Sequence, residues 1–75
     1  MEKLMKILSD VRPDLDFNVE KFLIDHNKLD SFDIISIVGE VNDEFDVSIN
    51  GADLKPENFN SASAIWDLIQ DYKTR

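Results

Sequence analysis

Apolar positions along the chain fall into three stretches at helical spacing, separated by segments with no sustained period. Leu4, Ile7, Leu8 and Val11 recur every three to four residues and Pro13 ends the pattern, which predicts a first amphipathic helix from about Glu2 to Val11. From Pro13 to Asp30 the apolar residues Leu15, Phe17, Val19, Phe22, Leu23, Ile24 and Leu29 are scattered, so this is read as a long connection with anchoring side chains. Ile34, Val38, Val41 and Phe45 then share a face, widened by Ile35 and Ile37, and predict a second helix from about Ser31 to Phe45. Asp33, Ser36, Glu40, Asp43 and Glu44 are expected to face mainly outward. Gly39 inside this helix fits either close packing or an exposed turn that tolerates it.

Beyond the second helix, Phe45, Val47 and Ile49 alternate like a strand, but no second strand-like segment exists to pair with them. An extended loop pressed on the core is expected instead. Asn50-Gly51 turns the chain, and Pro56 opens one helical turn through Phe59. Ser61 caps a last helix whose Ala62, Ile65, Ile69 and Tyr72 share a face, flanked by Trp66 and Leu68. The expected fold is therefore all-α: a small four-helix bundle in one domain spanning 1–75, with three longer helices, one short one, and a long loop between the first and second.

Composition narrows the function. The 75 residues carry 8 Lys and Arg against 16 Asp and Glu, a formal net charge of −8. Such a surface repels nucleic-acid phosphates and anionic membranes, and points to basic protein partners and to a monomer kept apart by self-repulsion. A hydrophobic content of 43% is too high for a disordered acidic tail. There is no Cys, so neither a disulfide framework nor a cysteine zinc site can form, and stability rests on helix packing. No apolar run approaches the roughly 20 residues that cross a bilayer, and Met1 to Lys6 lacks the apolar core of a secretion signal. A cytoplasmic location is expected.

Catalysis by the chain itself is not expected. A bundle this small has little room for a substrate pocket of several hundred Å³, and nothing in the pattern places His26 beside a nucleophilic serine. His26 is read as a solvated loop residue, and Trp66 and Tyr72 as packing residues with a wet polar tip.

The informative segment is Leu29-Asp30-Ser31-Phe32-Asp33-Ile34-Ile35, where a hydroxyl stands at the start of a helix directly after a long loop. Unpaired backbone N–H groups and the positive end of the macrodipole favour a phosphate there. The plainer alternative is that Asp30 or Ser31 only caps the helix.

The Asp30-Ser31-Phe32 triplet, Asp33 and the apolar-patterned helix behind them resemble the phosphopantetheine-attachment site of acyl carrier proteins. The resemblance runs from about Leu23 to Ile69 and includes Leu23-Ile24-Asp25, Phe45-Asp46-Val47-Ser48-Ile49, and Phe59 with Ser61. It implies that Ser31 carries a covalent 4'-phosphopantetheine arm, transferred from coenzyme A by a phosphopantetheinyl transferase. The arm would hold acyl groups as thioesters and present them to acyl-charging and acyl-transferring enzymes with basic patches. It further implies a docking face formed by Asp30, Phe32, Asp33, Ser36, Glu40, Asp43 and Glu44, with Asp30 also positioning the transferase and its magnesium. An acyl-chain cleft among Ile34, Val38, Val41, Ile49, Phe59, Ala62, Ile65 and Ile69 is implied as well, although these positions are first of all core. Phe32 in place of the commonest Leu, Ser36 in place of a frequent Glu, and the upstream Leu-Ile-Asp bring the triplet closer to D-alanyl and specialised carriers. His26-Asn27 stands where the family often has Gly, and Asn tolerates a left-handed backbone.

A reading from another class is an acidic calcium-binding interaction module. Asp46, Ser48, Asn50, Gly51 and Glu57 match the first, third, fifth, sixth and twelfth positions of a calcium loop. Asp53 falls where that loop takes an aliphatic residue, Pro56 stiffens the approach to Glu57, and no second loop exists. Core anchoring by Val47 and Ile49 is the preferred reading, with no metal site.

Overall fold

Helix ends in this chain are set by local signals, and the computed structural model, which describes residues 1–74, places them close to where those signals stand. The elements in chain order are α1 (Glu2–Val11), α2 (Ser31–Phe45), a 3₁₀ turn (Gly51–Asp53), α3 (Pro56–Phe59) and α4 (Ala62–Thr74). No strand occurs among the described residues. At α1's end the Arg12 N–H still bonds the Leu8 carbonyl (2.9 Å) before Pro13 prevents continuation. Asp30 caps α2, and Ser61 caps α4 by accepting from the Ala64 N–H (3.1 Å).

The four helices close around one core. Leu4, Ile7 and Leu8 of α1 and Ile37 and Val41 of α2 bury with Phe59 of α3 and with Ala62, Ile65, Leu68 and Ile69 of α4. Phe45 meets Trp66 edge-on, with ring centroids 5.8 Å apart and planes at 76°, while the Lys73 ammonium sits 5.5 Å from the Phe45 ring centre. The molecule measures 31 × 23 × 19 Å.

Residues 12–30 contain no helix or strand, yet their backbone is well bonded. Phe17, Leu23 and Leu29 insert into the core. The Leu23 N–H bonds the Asn60 carbonyl (2.9 Å), and the Asn60 side-chain oxygen accepts from the Ile24 and Asp25 N–H groups (2.9 and 3.1 Å). One asparagine at the α3–α4 junction thus fixes the loop opposite it. The Lys28 and Leu29 N–H groups both bond the Leu23 carbonyl (2.7 and 3.0 Å), closing a turn in which Asn27 is left-handed at φ 57°. Asn is among the few residues that take this conformation readily.

Three apolar assignments change. Val19 and Phe22, expected as anchors, are exposed, and Phe22 stacks on His26 with centroids 5.2 Å apart. Ile35 is 65% exposed instead of widening the core stripe. The inward line of α2 runs through Asp33, Ile37 and Val41, with Ile34, Val38 and Phe45 half-buried beside it. Helix α2 is thus rotated so that one carboxylate replaces an isoleucine on the buried face.

Gly39 is exposed, and a Cβ built on it meets nothing within 4 Å. Exposed tolerance, not close packing, explains it. Gly39→Ala is expected to stabilise the protein by about 0.5–1 kcal/mol, because Ala has less backbone entropy to lose in a helix interior. An unchanged urea midpoint would contradict this.

Candidate functional site

The start of α2 is built by a reciprocal cap. The Asp30 carboxylate accepts from the Asp33 N–H (2.9 Å), and the Asp33 carboxylate accepts from the Asp30 N–H (3.3 Å). This is the capping-box arrangement, with Asp in place of the usual Glu at the third helical position. Because Asp30 takes the capping role, the Ser31 side chain is not needed for it. Ser31 occupies the first helical position and is exposed. Its hydroxyl stands at the positive end of the helix, where an attached phosphate gains from the dipole and nearby N–H groups.

Asp33, expected to face outward and, by the resemblance, to join a docking face, is turned inward. It is only 9% exposed and is held by Arg12, whose Nη1 donates to Asp33 Oδ2 (2.7 Å). The same nitrogen donates to the Lys28 carbonyl (2.7 Å), while Arg12 Nε and Nη2 grip the two Asp14 oxygens (3.0 and 2.8 Å). The bond from Arg12 holds the Asp14 carboxyl below its usual range, and Asp14 and then Asp33 raise the guanidinium above its own. Pairing with a cation brought in from α1 is the physical reason Asp33 turns inward.

The other positions expected by the resemblance to form a docking face divide. Phe32 is 76% exposed and lies with Ile35, Gly39 and Asp43 along one outward line of α2, with Glu40 and Glu44 beside it. Ser36 is half-buried. Glu44 faces Lys3 at 3.5 Å, a solvated pair of small energetic weight. The Asp30 carboxylate is exposed while it caps the helix. The outward line is therefore apolar next to Ser31 and acidic further along. Ile35, expected to widen the core stripe, stands instead on this outward line; the available signal was the number of large apolar residues in α2.

Of the residues expected to shelter an acyl chain, Val41, Phe59, Ala62, Ile65 and Ile69 are closed inside the core, and Ile34, Val38 and Ile49 are half-buried. The apolar opening beside Ser31 is a shallow pocket of about 170 Å³ lined by Ser31, Ile34, Ile35 and Leu54. Only Ile34 among the expected cleft residues lines it. Leu54 is carried there by the 3₁₀ turn, whose Asn50 caps the Ala52 N–H (2.9 Å). The Tyr72 hydroxyl accepts from the Asn50 N–H (2.7 Å) and donates to the Asp53 carboxylate, tying this turn to α4.

Two of the calcium-loop positions have local structural roles. Asn50 uses its side-chain oxygen on its own turn, and Asp46 ends α2 in a left-handed conformation at φ 55°. Among the described residues no group of three or more His, Asp or Glu is placed to hold a metal ion. None of the helices among them is long and apolar enough to cross a membrane.

Comparison with known proteins adds no relative: no family model matches the chain, and searches among curated proteins and solved structures returned no match.

Proposed function

We propose that this chain is a cytoplasmic carrier protein that bears 4'-phosphopantetheine on Ser31 and presents thioester-bound acyl or aminoacyl groups to partner enzymes. The observation that carries this reading is the division of labour at the start of α2: Asp30 and Asp33 satisfy the helix terminus, and the intervening Ser31 is left exposed. A modified serine needs an accessible hydroxyl and a terminus that welcomes phosphate, and both are present.

The chain supplies no base of its own. In the transfer, Ser31 Oγ bonds to the phosphorus that bears pantetheine, the diphosphate link of coenzyme A breaks with adenosine 3',5'-bisphosphate as the leaving group, and the serine proton passes to a base of the transferase. When attached, the arm supplies a thiol that holds cargo as a thioester. Phe32, Ile35 and the pocket wall at Ile34 and Leu54 offer apolar contact close to the attachment point, and Glu40, Asp43 and Glu44 offer negative charge further along α2. A D-alanyl carrier is the aminoacyl form of the same reading, separated by which adenylating enzyme charges the arm.

Intact-mass spectrometry after incubation with coenzyme A and a promiscuous phosphopantetheinyl transferase tests the proposal. One added arm is expected, and an unmodified chain would overturn it. The docking role is tested separately. Glu40→Lys is expected to lower the kcat/KM of loading about tenfold at 0.1 M salt with no change in melting temperature, because an exposed charge steers encounter. The deficit should shrink at 1 M salt, where screening shortens from about 10 Å to about 3 Å. Wild-type kinetics at both salt concentrations would remove Glu40 from the docking face.

A further inference from the structure

Arg12 reaches from the end of α1 to the start of α2, and its contacts are not those of an ordinary surface pair. Nε and Nη2 hold Asp14 as a fork, while Nη1 spends both of its hydrogens elsewhere, on the Lys28 carbonyl and on Asp33 Oδ2. The side chain is 29% exposed, against 12% for that of Asp33. Asp33 in turn holds the Asp30 N–H, and Asp30 holds the Asp33 N–H. An unbroken set of hydrogen bonds therefore runs from Arg12 to both residues that bracket Ser31.

On its other side, the approach segment is tied by the Lys28 and Leu29 N–H groups to the Leu23 carbonyl and by burial of Leu29. Between that turn and α2, the Lys28 carbonyl and Asp33 are the two points gripped from outside the segment, and one nitrogen grips both. Among the described residues the Ser31 side chain makes no hydrogen bond that would orient it independently of these neighbours.

We propose that Arg12 is a positioning residue for Ser31, holding residues 28–33 in the one geometry that a phosphopantetheinyl transferase engages. This rests on the reading of Ser31 as the attachment point. When the tie is lost, the segment samples other arrangements, and the transferase binds only the fraction that is competent. The penalty then falls on apparent affinity and leaves the chemical step intact. Lysine cannot replace the arginine: its single nitrogen keeps the charge but cannot serve Asp14, the Lys28 carbonyl and Asp33 from a rigid planar fork.

The test is steady-state loading of Arg12→Lys by a phosphopantetheinyl transferase, with Ile7→Val as a control that loosens the core where α1 meets α2. The expected result for Arg12→Lys is a KM for the carrier raised about tenfold, with kcat within about twofold of wild type. Ile7→Val should keep the wild-type KM. Amide exchange is expected to quicken at Asp30 and Asp33 and to remain unchanged in α4. A wild-type KM in Arg12→Lys overturns the proposal, as does exchange that quickens equally in α4, which would mark general loosening. Should Arg12→Lys fail to fold, Asp14→Asn releases one edge of the fork; a KM raised about twofold is expected there, and a wild-type KM overturns the proposal. If wild-type protein accepts no arm, the attachment reading falls and takes this proposal with it, an outcome distinct from failure of Arg12 alone.

Discussion

Ser31→Ala is expected to abolish attachment of the arm completely while the protein stays folded. The variant should keep its mass unchanged under conditions in which wild type converts fully, because no neighbouring hydroxyl stands at that helix terminus. Stability should change by no more than about 0.5 kcal/mol, since the side chain is exposed and the cap belongs to Asp30 and Asp33. For a chain of this length that is a shift of melting temperature within about 3 °C. The combination is what discriminates: loss of loading together with loss of fold would make Ser31 structural, and a variant that still gains the arm would place the attachment elsewhere.

Asp33→Ala is expected to be the most destabilising substitution in the first turn of α2. It removes the acceptor of the Asp30 N–H and leaves the Arg12 guanidinium without its least exposed partner. A lost cap contributes about 1 kcal/mol, and an unpaired, partly buried donor about 1–2 kcal/mol more, so a loss of about 2–3 kcal/mol is expected. Against a total stability on the order of 4–11 kcal/mol for a chain of this length, that is a large fraction. Asp33→Asn, which keeps an oxygen in place, should lose about 1 kcal/mol. Asp33→Lys should be worse than either, because it sets a cation against Arg12. Urea unfolding measures the series, and a wild-type midpoint in Asp33→Ala would show that the buried pair contributes nothing. Slow loading in an Asp33 variant would therefore report a disturbed helix start and say little about docking.

These two expectations mark where the sequence was legible. Helix ends were readable because they are set locally: Pro13 cannot continue α1, Asp30 precedes α2, Pro56 opens α3 and Ser61 caps α4. At Asn27 only the tolerance of Asn for a left-handed backbone was anticipated, from the Gly that the resembled family often has there; the turn itself is a finding of the structure. The rotation of α2 was not. Ile35 and Asp33 exchange the places that hydropathy gives them, because Arg12, 21 residues upstream, supplies a partner that makes an inward carboxylate tolerable.

Spacing placed Ser31 at a helix start and Glu40, Asp43 and Glu44 on the outer side of α2, while their expected roles were only what the resemblance implies. The pocket wall at Leu54 and the hold of Asn60 on the loop join segments far apart in the chain. The sequence by itself determined, to within a residue or two, where the helices begin and end and that a hydroxyl stands at the start of α2; that Asp30 takes the cap and leaves Ser31 exposed was settled by the structure. Only the tertiary structure decided which side of α2 faces the core and what holds the approach to Ser31, because those outcomes depend on hydrogen bonds and burial between residues that no local pattern connects.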